Sequence, residues 1–246
     1  MNEQLPIPGA PEAVAPVTDH HAATMALRQF LRAHPRVVLL TGAGCSTESG
    51  IPDYRGPDGA WRQRRPIQYQ DFVRSEQARR RYWARSMRGY PLMARAEPNA
   101  THRWVAAHEA RGGVELLVTQ NVDGLHARAG SGAHVELHGR IADVVCLDCG
   151  ARGARADVQR RLERSNPALD GPRPETIAPD GDAHVEDAAL ETFVVPDCER
   201  CGGMLKPDVV FFGESVPRER VDRTRAALQR ADALLVLGSS LMVFSG

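Results

Sequence analysis

The chain has 246 residues, with 31 basic and 31 acidic side chains, nine His and five Cys. That length buries a core without disulfide staples, and the zero formal net charge gives no ground for a nucleic-acid or anionic-membrane partner. Of the basic residues 30 are Arg and only Lys206 is Lys. The first 20 residues carry no Lys or Arg and no continuous apolar run. A secretory signal is therefore not expected there, and neither is an Arg-rich presequence; a flexible tail is. The longest apolar stretch, Ala231 to Phe244, is short and interrupted by Asp232, Gly238, Ser239 and Ser240, so no membrane span is expected. A cytoplasmic location follows, and reduced cysteines with it.

In chain order, Asp19 to His34 reads as a helix capped by Asp19 and ended by Pro35, with Ala23, Leu27, Phe30 and Leu31 on one face. Arg36 to Thr41 reads as a buried strand, apolar on both faces. A polar, Arg-rich helical stretch is expected from Pro57 to Ala96, and a helix from Thr101 to Arg111 stopped by Gly112-Gly113. Strands are expected at Val114–Thr119, Val135–His138, Val209–Phe212 and Ala233–Leu237, with a helix at Arg218–Arg230. The segment Cys146 to Cys201 reads as a Cys-rich insertion whose Asn166–Asp187 portion is a loop. Strands alternating with helices predict an α/β fold with a mostly parallel sheet covered on both faces.

Three constellations carry chemistry. The first is the Gly-rich turn after the first strand, Gly42-Ala-Gly-Cys-Ser46, continued by Gly50-Ile-Pro-Asp-Tyr-Arg55. Two glycines let backbone approach a phosphate, a following helix would offer free N–H groups, and Arg55 is placed to pair with a diphosphate. Thr47 replaces the third glycine of the dinucleotide fingerprint, and a bare Gly-x-Gly also serves as a tight turn. The bland reading of the continuation is a surface loop in which Asp53 pairs with Arg55. Cys45 reads as a small buried packing residue.

The second constellation follows the strands. Gln120, Asn121 and Asp123 come directly after Val114–Thr119, where open α/β sheets bind ligands; the alternative is an Asx-turn that only closes the strand. His138, before Gly139, is the histidine whose position at a strand end suits a general base. His20, His21, His34 and His184 fall in tail, first helix or loop, while His102, His108, His126 and His134 stay open. The third is a pair of knuckles, Cys146-Leu-Asp-Cys149 and Cys198-Glu-Arg-Cys201, each followed by Gly and separated by 48 residues. Matched Cys-x-x-Cys pairs point to one tetrahedral zinc site of ribbon type, closed and therefore structural. Redox dithiols or two disulfides are the rival readings.

Taken in order, Gly42-Ala-Gly-Cys-Ser46, Gly50-Ile-Pro-Asp-Tyr-Arg55, Gln120-Asn-Val-Asp123, His138-Gly139, the Cys pairs, Lys206-Pro-Asp-Val-Val-Phe-Phe-Gly-Glu214 and Gly238-Ser-Ser240 resemble the sirtuin family of NAD-dependent protein deacylases. The long gap between the Cys pairs, Tyr54, and Arg81-Tyr-Trp-Ala-Arg85 look most like its class II branch. The resemblance implies a Rossmann-like NAD-binding domain from residues 21–57, 97–140 and 207–246. It also implies a small domain made of a helical segment, 58–96, and a zinc module, 141–206, after a tail at 1–20. It implies catalytic roles for His138 and Asn121. NAD contacts would come from Gly42, Ala43, Gly44, Ser46, Asp53, Tyr54, Arg55, Gln120, Asn121, Asp123, Gly238, Ser239 and Ser240. One zinc ion would be held by Cys146, Cys149, Cys198 and Cys201. Val209, Val210 and Phe211 would pair with an acylated-lysine protein substrate as an added strand. Products would be nicotinamide, free lysine and O-acyl-ADP-ribose; mono-ADP-ribosyl transfer and a non-catalytic NAD- and zinc-binding relic are the alternatives. Relative to the family pattern, the segment after Gly-Ser-Ser is expected to be missing and with it the last sheet strands.

Overall fold

The computed structural model describes residues 18–54, 66–169, 174 and 176–242. The chain divides into two units, Met1–Pro35 and Arg36–Gly246. The first holds α1 (His20–Ala33). The Asp19 carboxylate caps it, accepting from the N–H groups of His21 (3.1 Å) and Ala22 (3.3 Å). It ends at Ala33, and the non-helical C-cap His34 is the residue before Pro35, where the proline ring disfavours helix. None of its residues is buried, so the apolar stripe expected from Ala23 to Leu31 is not core; the Phe30 ring lies 4.8 Å from that of His34.

The second unit begins with β1 (Val37–Thr41), buried at every position. Each of its four apolar side chains contributes roughly 1.5–3 kcal/mol on burial. The expected helical stretch resolves, over its described part, into α2 (Tyr69–Arg74) and α3 (Glu76–Arg95). They are separated at Ser75, whose hydroxyl caps α3 at Ala78 N (3.1 Å); residues 57–65 of that stretch lie outside the described residues. α4 (Ala100–Ala110) starts with an Asn99–His102 capping box. Then come β2 (Val114–Thr119), the single turn α5 (Leu125–Arg128) and β3 (His134–Glu136). β4 (Gly139–Cys146), β5 (Arg152–Ala154), α6 (Arg155–Ser165) and β6 (Leu205–Val209) build the Cys-rich module, and α7 (Arg218–Arg230) leads to β7 (Ala233–Leu237).

Two sheets result. One is parallel, in the order β3-β2-β1-β7; the other is antiparallel, in the order β5-β4-β6. In the parallel sheet Thr41 stands opposite both Thr119 and Leu237, and Thr119 opposite Glu136. The carboxyl ends of all four strands are thus level, and the residues that follow them converge. Val38, Leu40, Leu116, Val118 and Val135 pack with Ala227 of α7 in one core. A second core joins α2, α3 and α6 to β4 and β6 through Phe72, Trp83, Leu162 and Leu205. The strand expected at Val209–Phe212 is displaced: β6 ends at Val209, because it pairs antiparallel with β4 from Cys146↔Leu205 to Gly139↔Val209 and the chain then turns. No described helix is long and apolar enough to cross a membrane.

Candidate functional site

The Gly-rich turn is not a helix N-terminus. Two short 3-10 turns, Ala43–Cys45 and Thr47–Ser49, follow Gly42. The N–H groups of Gly42, Gly44, Cys45 and Ser46 bond to the carbonyls of Leu237, Gly238, Gly42 and Ala43 at 2.8–3.0 Å. These four N–H groups of the expected row are therefore spent inside the protein. The glycines answer to packing first: a Cβ on Gly42 or Gly44 would lie 2.8 or 2.9 Å from the Gly238 carbonyl oxygen. Gly238 in turn has φ +59, and a Cβ there would reach 2.3 Å from Cys45 N. Cys45 is buried, its Sγ 3.2 Å from the Leu237 carbonyl, and burial pushes its thiol up to about 11, as suits a packing residue.

Behind the turn a polar network ties β1 to the end of β2. The buried Ser46 hydroxyl donates to Asp123 Oδ2 (2.7 Å) and accepts from Asn121 Nδ2 (3.1 Å), which also donates to Gly42 O (3.1 Å). Asp123 Oδ1 accepts from Leu125 N (2.9 Å), so this residue makes the strand-closing Asx-turn as well. Ser239 Oγ donates to Gln120 Oε1 (2.8 Å), while Gln120 Nε2 is buried with no partner among the described residues. Deeper, Asn99 Nδ2 holds the Cys45 carbonyl (2.8 Å) and His126 Nε2 lies 3.0 Å from Thr41 Oγ1. Burial lowers the pKa of His102 and takes that of His126 to about 3. Both rings are neutral framework, 4.6 Å apart. His108 stacks on Trp104, and His134 faces Glu136 at 3.9 Å.

His138 is set apart. Its Nδ1 is 3.0 Å from the Gln120 carbonyl. A carbonyl only accepts, so Nδ1 carries the proton and Nε2 is the basic nitrogen of the neutral ring. Burial lowers the pKa of His138 below the usual histidine value, outweighing the Gln120 carbonyl, which raises it. A cavity of about 1180 Å³ gathers Ala43, Gly44, Ser46, Asp53, Tyr54, Gln120, Asn121, Asp123, His138, Val209, Val210, Phe211, Gly238, Ser239 and Ser240. That exceeds the roughly 300–1,000 Å³ of ordinary small-molecule sites and leaves room for a two-part ligand. Gly42 lies outside its lining, under the turn; Arg55 lies outside the described residues. The cavity also takes in Tyr82 from Arg81–Arg85, whose ring is 5.1 Å from that of Phe211, together with Asp180 and Glu214. No motif singled out Asp180 or the Asn99–His102–His126 framework, because their roles arise only from tertiary contact. Two N–H groups of the segment expected to add a substrate strand are already bonded, Val210 N to His138 O (2.8 Å) and Phe211 N to Glu214 Oε2 (2.9 Å).

The four paired cysteines come together as expected, their Sγ atoms all within 4.8 Å of one another. Gly150 and Gly202 have φ +69 and +71, and their N–H groups return to the carbonyls of Cys146 (3.0 Å) and Cys198 (2.8 Å). They supply the left-handed turn rather than N–H groups aimed at sulfur. The backbone N–H of Cys149, and that of Asp148, pull the Cys146 thiol down, toward the thiolate that a soft metal takes. Asp148 Oδ2 accepts from Met204 N (2.7 Å) and joins the two knuckles. Four sulfurs at this spacing fit one tetrahedral Zn²⁺ with no open position.

Residues 42–245 match the model of the Sir2 family. The chain belongs to that family. Its relatives include proteins named NAD-dependent protein deacetylase. The one from Xanthomonas axonopodis pv. citri (strain 306) is 54% identical over 234 residues, 94% of this chain and 77% of the relative. The one from Bordetella bronchiseptica is 54% identical over 224 residues, 90% of this chain and 80% of the relative. Among solved structures, this Sir2-family chain superposes on one described as "Sir2-p53 peptide-NAD+" with TM-score 0.70 and 32% identity. That match covers 89% of this chain and 77% of the other. A second, "Sir2 bound to acetylated peptide", gives TM-score 0.69 at 30% identity, with 90% and 77% covered.

Proposed function

We propose that this chain is an NAD-dependent protein-lysine deacetylase carrying one structural zinc ion. The observation that carries the reading is the single cavity in which Asn121, Asp123 and His138, at the carboxyl ends of neighbouring strands, meet the Gly-rich turn and the Val209–Phe211 segment. The unpartnered Gln120 Nε2 is the kind of buried donor that a polar ligand completes. NAD, when bound, supplies an electrophilic ribose carbon with nicotinamide as leaving group.

The protein's part is to orient and to move a proton. Asn121 and Asp123 are held in single poses by Ser46, Gly42 and Leu125, so their ordering cost is met before any ligand arrives. His138, kept neutral by burial and fixed in tautomer by Gln120 O, accepts a proton at Nε2 as general base. Tyr82 and Phe211 give the cavity an apolar flank suited to the acyl-lysine chain of a protein substrate. We assign the enzyme to the cytoplasm, where reduced cysteines serve as zinc ligands.

The experiment is nicotinamide release and acyl transfer, followed by chromatography, with an acetyl-lysine peptide and NAD. His138→Ala is expected to lower kcat by roughly 10²–10⁴-fold, the usual worth of a general base, with zinc content unchanged. Turnover retained in that variant refutes the base assignment. ADP-ribosylated protein formed without any acylated ADP-ribose refutes the deacetylase reading.

A further inference from the structure

Lys206 is the only lysine in a chain whose other 30 basic residues are Arg. It lies on β6 with its side chain 4% exposed. Its ammonium meets three oxygens, Val209 O (2.5 Å), Glu214 Oε2 (3.1 Å) and Pro207 O (3.3 Å), one for each of its donors. The Phe211 ring centroid is 4.7 Å from Nζ. Glu214 Oε2 also accepts from Phe211 N (2.9 Å), and Glu214 N donates to Phe211 O (3.0 Å). Residues 207–214 are therefore wrapped around one ion pair, its lysine buried and its glutamate half-buried, and Val209, Phe211 and Glu214 all line the cavity.

The identity of the residue is itself informative. Three donors diverging from one atom satisfy oxygens crowded about a point; a planar guanidinium spreads its five donors in a fork and cannot. The hydrogen bonds of Ser46, Asn121 and Asp123 run to the Gly-rich turn and α5, not to this loop. His138 is tied to the loop through Val210 N, a bond in which Lys206 has no part.

We propose that Lys206, with Glu214, is a positioning residue for the acyl-lysine substrate, holding the 209–214 loop so that peptide binding depends on it while NAD binding and the chemical step do not. The inference rests on the deacetylase reading. Its test uses K206R, K206M and E214Q in the full chain, with separate KM and kcat determinations for acetyl-lysine peptide and NAD. Fluorescence-polarisation affinity for the same peptide, and zinc content with urea unfolding as checks of the fold, complete it. K206M and K206R are expected to raise peptide KM about tenfold, the worth of one lost charge-assisted bond. Their kcat and NAD KM should stay within about twofold of the parent. E214Q keeps an acceptor for Phe211 N and loses the charge, and should raise peptide KM about threefold on the same split; it decides the matter if the Lys206 variants do not fold. A K206R or E214Q enzyme with the parent's peptide KM, or equal rises in both KM values, overturns the positioning role alone. A parent chain that neither binds nor turns over the acetyl-lysine peptide refutes the deacetylase reading, and this inference with it.

Discussion

Gly139→Ala tests whether the residue after His138 is a glycine for structural cause. Gly139 opens β4 at φ +80, and a Cβ there would lie 2.0 Å from the Asp208 carbonyl oxygen and 3.1 Å from Val209 Cα. Holding alanine in the left-handed region costs about 1 kcal/mol. The clash is with backbone, which cannot rotate away as a side chain could, so β6 must retreat; forced overpacking of this kind costs about 1–3 kcal/mol. Together the loss is about 2–4 kcal/mol from a total of about 5–15 for a domain. The retreat also spoils the Gly139↔Val209 pairing and the 2.8 Å bond from Val210 N to His138 O, which joins the end of β6 to the start of β4. Urea unfolding gives the stability change from the midpoint if the slope is unchanged, and peptide kcat/KM on the folded fraction gives the functional change. A variant within about 0.5 kcal/mol of the parent, the range of innocuous surface changes, refutes the steric reasoning.

The zinc module gives a second expectation: Cys149→Ala, or a strong chelator, removes the metal measured by elemental analysis and unfolds β4–β6, since a closed thiolate site contributes folding energy outright. A metal-free chain with the parent's stability refutes a structural zinc. The buried His126 gives a pH signature. Its pKa falls from 6.5 to about 3 on folding, so the unfolded chain binds the extra proton and stability must drop as pH falls from 6.5 through 3. The loss amounts to at most about 5 kcal/mol at 1.36 per pKa unit. His126→Gln should flatten that acid limb in urea titrations at successive pH values; an unchanged limb refutes the assignment.

The sequence was most legible where punctuation sits directly before an element. Val114–Thr119 follows Gly112-Gly113, Arg218–Arg230 follows Pro217, and Ala233–Leu237 follows Asp232; these three elements match expectation to the residue. The Cys-rich module was opaque for physical reasons. α6 buries Val158 and Leu162 but also Arg155 and Gln159, so its apolar period is broken by a charged and an amide side chain. Arg155 is accommodated because its guanidinium lies over the rings of Tyr90 (4.5 Å) and Trp83 (5.1 Å), a partnership that no local pattern announces. β6 begins four residues before the expected strand: Val209–Phe212 is the more apolar run, but the β4 pairing that defines the strand starts at Leu205, and Glu214 draws Phe211 N out of the ladder.

The convergence of the strand-end residues is legible because strand-end position is set by register. With Thr41, Thr119 and Leu237 level, the next residues of three strands meet whatever their side chains are, and ligand chemistry can then be assigned by residue type. What position alone could not give is why the glycines are there. Gly42 and Gly44 suit a close phosphate by pattern; their closest demand comes from Gly238, across a contact that alanine would break. That contact holds Ser239 where its hydroxyl bonds Gln120 (2.8 Å), and Gly42 O where it takes a hydrogen bond from Asn121 (3.1 Å). The Gly-rich turn, the end of β2 and the turn after β7 are thereby one braced piece. A ligand touching any two of them meets groups whose spacing is fixed in advance, and packing between turns is the means of that preorganisation.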